Sequence, residues 1–124
     1  LVSVLQGKIL DVAVDFRIGS PTFGRAISVE LDSIENKQLF IPRGFLHGFS
    51  VLSEDAIVNI KIDRYFAAGE SIGVKYDDKD LSIDWKISAK DIILSKADIE
   101  LKFFKDVISP FDYGKNYYLM KQFV

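Results

Sequence analysis

Ile9-Leu10-Asp11-Val12-Ala13-Val14-Asp15-Phe16-Arg17 alternates in step with a β-strand. Leu10, Val12, Val14 and Phe16 fall on one face, and Asp11, Asp15 and Arg17 on the other. That is the two-residue period of side chains on a pleated strand. The same period recurs on both sides of this stretch. Leu1 to Leu5 reads as a short apolar strand, joined to the first by a Gln6-Gly7-Lys8 turn in which Gly supplies a positive φ. Gly19 to Gly24 is a loop, and Ala26 to Leu31 a strand with Ile27, Val29 and Leu31 inward. A polar turn, Asp32 to Lys37, precedes the short strand Gln38 to Ile41, which Pro42 and Gly44 end.

Two further strands, Gly48 to Leu52 and Ala56 to Asp63, flank a Ser53-Glu54-Asp55 turn. Ala67 to Gly69 is a loop, Ile72 to Tyr76 a strand, and Asp77 to Asp80 an acidic turn. The one helix expected runs from Ser95 to Phe104, with Ser95 as N-cap and Asp98 at the third helical position. Phe111, Tyr113, Tyr117, Tyr118, Leu119 and Phe123 give the tail an aromatic surface that needs covering. Seven or more short alternating strands with Gly- and Pro-bearing turns predict an all-β fold, an antiparallel sandwich or barrel.

Composition narrows the function classes. With 124 residues, 48% of them hydrophobic, the chain can bury a core as one domain, residues 1–124. Sixteen Lys and Arg against eighteen Asp and Glu leave a net charge of -2, which predicts no nucleic-acid partner. No apolar run approaches the ~18 residues of a membrane helix. Cys is absent, which removes thiol catalysis and thiolate zinc sites, and a cytoplasmic location is expected. Asp77, Asp78 and Asp80 lack an EF-hand pattern and read as a solvated turn.

Pro42-Arg43-Gly44-Phe45-Leu46-His47 resembles the second motif of the cupins, a Pro-x-Gly-x-x-His turn that points its His into the barrel. Four longer stretches together resemble the dTDP-4-dehydrorhamnose 3,5-epimerases. They are GKILDVAVDFRIGSPTFG (Gly7 to Gly24), ENKQLFIPRGFLHGF (Glu35 to Phe49), DDKDLSIDW (Asp77 to Trp85) and ILSKAD (Ile93 to Asp98). They occur in the family's order and at nearly its spacing.

The resemblance implies a cupin-like antiparallel jelly-roll β-sandwich with a short C-terminal helical segment. It implies a homodimer and a dTDP-linked 4-keto-6-deoxy sugar as substrate, epimerised at C3, C5 or both with neither metal nor other cofactor. A base removes a proton beside the C4 ketone, an enolate forms, and an acid returns a proton to the opposite face. One His in the whole chain cannot supply the ligand set of a metal-dependent cupin oxygenase.

The resemblance also assigns residues. His47 lines the sugar site as a hydrogen-bonding or oxyanion-supporting group; a lone core His satisfied by backbone is its plainer reading. Asp98 aligns with the carboxylate that orients the base, and also suits a helix first turn. The general acid, a Tyr in a Tyr-Lys pair, aligns with Ile60, leaving Lys61 as the Lys and Tyr65 as the nearest Tyr. On alternation alone Lys61 belongs to a solvated polar stripe. Ser71, with Glu70 beside it, aligns with a nucleotide-binding Glu, and Arg43, where the family has Glu, reads as a surface residue. The family's base His and its enolate-stabilising Lys precede the position of Leu1. The 124 residues are therefore expected to lack the N-terminal part of the family domain and to be inactive alone. Ile60 keeps open a second reading, a non-catalytic sugar-nucleotide-binding or assembly member of the same fold.

Overall fold

The computed structural model describes residues 1–65 and 71–118. Four strands, β1 (Val2–Asp15), β2 (Ala26–Asp32), β3 (Gln38–Leu39) and β4 (Phe45–Ile60), form one antiparallel sheet among these residues. β1 is its spine. One edge of β1 pairs with β3 through Val2 and Ser3 and with β2 from Lys8 to Val14. β4 pairs with it from Val2↔Ile60 to Asp15↔Phe45.

The expected turn at Gln6-Gly7-Lys8 is instead part of β1. Between Val4 and Gln6 β1 advances two residues while β4 advances one, from Val58 to Ile57. That extra residue, Leu5, flips the strand's facing. Val2 and Val4 thereby share a core with Ile9 and Leu31 despite their even numbers. Gly7 does adopt a positive φ, of 77°, and a Cβ there would collide with the Asp55 carbonyl oxygen. β1 then advances two residues, Gly7 to Ile9, while β4 advances five, from Ala56 back to Val51. The Ser53-Glu54-Asp55 turn is thus a local excursion inside β4, not a break between two strands.

Leu10, Val12 and Val14 pack with Leu81, Trp85 and Phe104 in a second core. Its cover is irregular chain. The expected strand Ile72 to Tyr76 is reduced to a single parallel bridge, Val74↔Lys102. The expected helix divides into α1 (Lys96–Ile99) and a 3-10 turn, Phe104–Asp106. Ser95 is the N-cap, as expected, and accepts from the Asp98 N–H. Past Glu100 the chain leaves the helix: Lys102 bridges to Val74, and its carbonyl accepts from the Lys75 N–H at 3.0 Å. On β2 only Leu31 is fully buried, and Ile27 is 55% exposed.

The acidic turn is not simply solvated. Asp78 is 3% exposed. Its Oδ1 accepts from the Asp80 and Leu81 N–H groups, and its Oδ2 from Phe104 N–H at 2.6 Å. It holds Phe104 against Phe16 and Phe23, with ring centroids 5.5 and 5.3 Å away.

Asp15 ends β1 fully buried and fully partnered. Arg17 donates to it from Nε (2.9 Å), Nη2 (2.8 Å) and its backbone N–H (3.1 Å), and the Ser20 and Thr22 hydroxyls donate at 2.5 and 2.7 Å. The Arg17 guanidinium lies 4.6 Å from the Phe45 ring centroid and 5.0 Å from that of Tyr113. The Arg17 hydrogen bonds hold the Asp15 carboxyl far below the usual carboxylate range. A depressed folded-state pKa stabilises the fold above the unfolded value, ~4, and that contribution fades as pH falls below it. Urea unfolding of wild type should therefore weaken from pH 5 to pH 3 more than that of Asp15→Asn, which should start less stable. Equal pH slopes for the two proteins would show that the Arg17–Asp15 pair contributes nothing.

Candidate functional site

The β1–β4 register sets Ala13 opposite His47 and Asp11 opposite Phe49. Asp11 and His47 are therefore diagonal neighbours across the ladder, a separation that a long side chain can span. The small side chain of Ala13 leaves the imidazole room to lean toward Asp11. His47 Nε2 lies 2.6 Å from Asp11 Oδ1. With Nε2 as the donor to this carboxylate, Nδ1 remains for a ligand.

Asp11 is 0% exposed, and its Oδ2 is the one buried side-chain polar atom without a partner among the described residues. A buried polar group left open carries a cost of about 1–3 kcal/mol, the kind of cost that a site bears and a purely structural residue avoids. Alternation alone places Asp11 on the second face of β1 and assigns it no role. The signal that identifies it is the β1–β4 register, which pairs residues 36 positions apart.

His47 lines two cavities. The smaller, about 410 Å³, is bounded by Leu1, Ile41, Arg43, Ile60, Lys61, Asp63 and Tyr118 as well. The larger, about 1040 Å³, includes Ser50, Ile60, Ser71, Trp85 and Asp98. Gly48 lets the Trp85 ring close on β4, where a Cβ would stand 3.2 Å from it. Trp85 is tethered by its indole N–H to the Tyr76 carbonyl (2.7 Å) and by its own carbonyl to the Ser50 hydroxyl (2.7 Å).

The residues expected at the site divide accordingly. Lys61 meets His47 in the smaller cavity, and Ser71 and Asp98 meet it in the larger. Asp98 Oδ2 accepts from the Ser95 hydroxyl at 2.6 Å, so the helix cap also orients its carboxylate. Tyr65 is fully solvent-exposed and is on the wall of neither cavity. Glu70 lies outside the described residues, as do the tail's Leu119 and Phe123. Ile60 lines both cavities, so an apolar side chain occupies the position where the resemblance expects a phenol. Arg43, expected on the surface, is half-buried on the cavity rim. It binds Asp63 Oδ2 through Nε (2.9 Å) and Nη2 (2.6 Å), which holds the Asp63 carboxyl below its ordinary value.

Comparison with known proteins decides the family. Residues 1–106 match the family model for dTDP-4-dehydrorhamnose 3,5-epimerase. The chain belongs to that family. The epimerase of Elizabethkingia anophelis NUHP1 superposes with a TM-score of 0.82 at 49% identity, over 86% of this chain and 58% of that one. The Legionella pneumophila Philadelphia 1 enzyme, solved with dTDP-4-keto-L-rhamnose, gives a TM-score of 0.77 at 45% identity, over 82% of this chain and 54% of that one. The epimerase of Methanothermobacter thermautotrophicus is 41% identical over 99 residues, 79% of this chain and 54% of that protein. The chain thus spans about half the length of the relatives it matches. The epimerase family, and with it the all-β, cupin-like fold class, agrees with the sequence reading.

If the Asp11 contact holds the imidazole, the His47 Nε2–H of this epimerase-family chain should be shielded from solvent. A ¹⁵N-edited NMR spectrum should show it as a downfield, slowly exchanging proton. Asp11→Leu, which removes the acceptor, should abolish the resonance. Its persistence in a folded Asp11→Leu protein would contradict the assignment.

Proposed function

We propose that this chain serves a nucleotide-sugar epimerase acting on dTDP-4-dehydro-6-deoxy sugars, inverting C3, C5 or both. The observation that carries this is a carboxylate-backed imidazole facing a cavity, in a chain whose residues 1–106 match the epimerase family. With Nε2 engaged by Asp11, His47 meets the sugar through Nδ1. A neutral ring accepts there from a sugar hydroxyl; a protonated ring donates to the C4 oxygen, where negative charge develops as the enolate forms. Lys61 adds a cation on the wall of the smaller cavity, and Ser71 and Asp98 line the larger one. In this reading Asp98 orients a base His and Glu70 contributes to the nucleotide side. Tyr65, the nearest Tyr to the expected acid position, lines neither cavity.

The reading includes a single-domain unit that works as a homodimer. Ile27 and Ile57 lie exposed on the sheet, and β2 has one edge unpaired among the described residues, which a second copy would cover. A cytoplasmic location follows from the substrate class. Among the described residues no helix is long and apolar enough to cross a membrane. Ile60 favours one second reading, a sugar-nucleotide binder without turnover, because its side chain can neither donate nor accept a proton.

Deuterium wash-in from D2O at C3 and C5 of a dTDP-4-keto-6-deoxy sugar, followed by NMR, tests the reading. The 124 residues alone should leave both protons in place. The same residues joined at Leu1 to the upstream segment of the Elizabethkingia relative should exchange at least one of them. Wash-in by the chain alone would move the base role to His47, its one His. A folded joined protein that binds the sugar nucleotide without exchange would favour the binder.

A further inference from the structure

The rim of the smaller cavity includes a residue beyond the part of the chain that matches the family. Tyr118 lies 12 residues past the end of the match at residue 106, yet lines the cavity together with His47, Ile60 and Lys61. Arg43 holds it there in several ways. The Arg43 backbone N–H donates to the Tyr118 hydroxyl at 2.9 Å, and the guanidinium carbon lies 5.1 Å from the centroid of its ring. Arg43 Nη1 donates to the Tyr117 carbonyl, while Asp63 fixes the other side of the guanidinium. Upstream, the segment is tied to the loop after β1. Ile18 N–H donates to the Phe111 carbonyl at 2.8 Å, and Tyr113 N–H to the Ile18 carbonyl at 2.9 Å.

A phenol carries one donor and two acceptor positions. Arg43 N–H occupies one acceptor position, and among the described residues no acceptor takes the hydroxyl proton. The half-exposed ring thus offers an O–H at the mouth of a cavity whose position 60 holds an Ile. We propose that Tyr118, seated by Arg43, is a sugar-contacting residue of this site: its hydroxyl donates a hydrogen bond to an oxygen of the bound hexose. This rests on the reading of the His47 cavity as a nucleotide-sugar site, and deepens it by making the C-terminal segment part of the sugar's wall.

The test compares two ligands on the whole chain by isothermal titration calorimetry, dTDP and dTDP-quinovose. Tyr118→Phe removes only the hydroxyl and keeps the ring on Arg43. It should weaken dTDP-quinovose about fivefold, the loss expected for one hydrogen bond, and leave dTDP within about twofold. Arg43→Gln, which unseats the ring while keeping the backbone N–H, should weaken dTDP-quinovose at least as much. Unchanged affinity for both ligands in Tyr118→Phe would overturn the proposal, and so would an equal loss for both. If wild type binds neither ligand, the nucleotide-sugar reading of the cavity itself fails, and this inference with it.

Discussion

From Ile9 to Asp15, β1 is hydrogen-bonded along both edges and buried on both faces, so any carboxylate there has to be answered inside the protein. That constraint organises the rest of the structure. Asp15 and Asp11 lie four residues apart on the same face of this strand, both essentially without solvent. The strand can carry them only because neighbouring elements bring donors to them.

The two are answered in different ways, and the difference separates scaffold from site. Asp15 receives five hydrogen bonds, from Arg17, Ser20 and Thr22, all within seven residues of it. Its negative charge is neutralised locally and both oxygens are engaged, so it closes the loop Gly19 to Gly24 and has nothing left for a ligand. Asp11 receives one bond, from a side chain on another strand, and keeps an oxygen open. Its one partner, His47, stands at the entrance of a cavity with its second nitrogen uncommitted. Cross-strand register, rather than local sequence, converts an interior charge into an oriented imidazole.

Much of this was legible in the sequence, and the limits have physical reasons. The alternation from Leu10 to Val14 correctly separates the two faces of β1, because a strand has only two, but both faces are buried here, Asp11 and Asp15 as fully as Leu10 and Val12. The Pro42-to-His47 turn and the three companion stretches identify the family, because their residue types sit at nearly fixed spacing. Strand boundaries were less legible. Gly7 has the positive φ of a turn residue, but here it serves a bulge, and alternation cannot distinguish the two. Ser53-Glu54-Asp55 looks like a hairpin turn but is an excursion within β4. The helix expected through Phe104 ends at Ile99, because Lys102 pairs with Val74, a tertiary contact that outweighs local helix propensity. Asp11 and Tyr118 could not be read at all, since their importance depends on partners 36 and 75 residues away.

The central claim is that the Asp11-backed His47 faces a bound hexose. Intermolecular nuclear Overhauser effects between dTDP-quinovose and the isotope-labelled chain address it most directly. The account predicts contacts from hexose protons to the His47 ring and the Ile60 methyl groups, which share both cavities. Hexose contacts confined to residues outside these cavities, with the His47 ring silent, would contradict it.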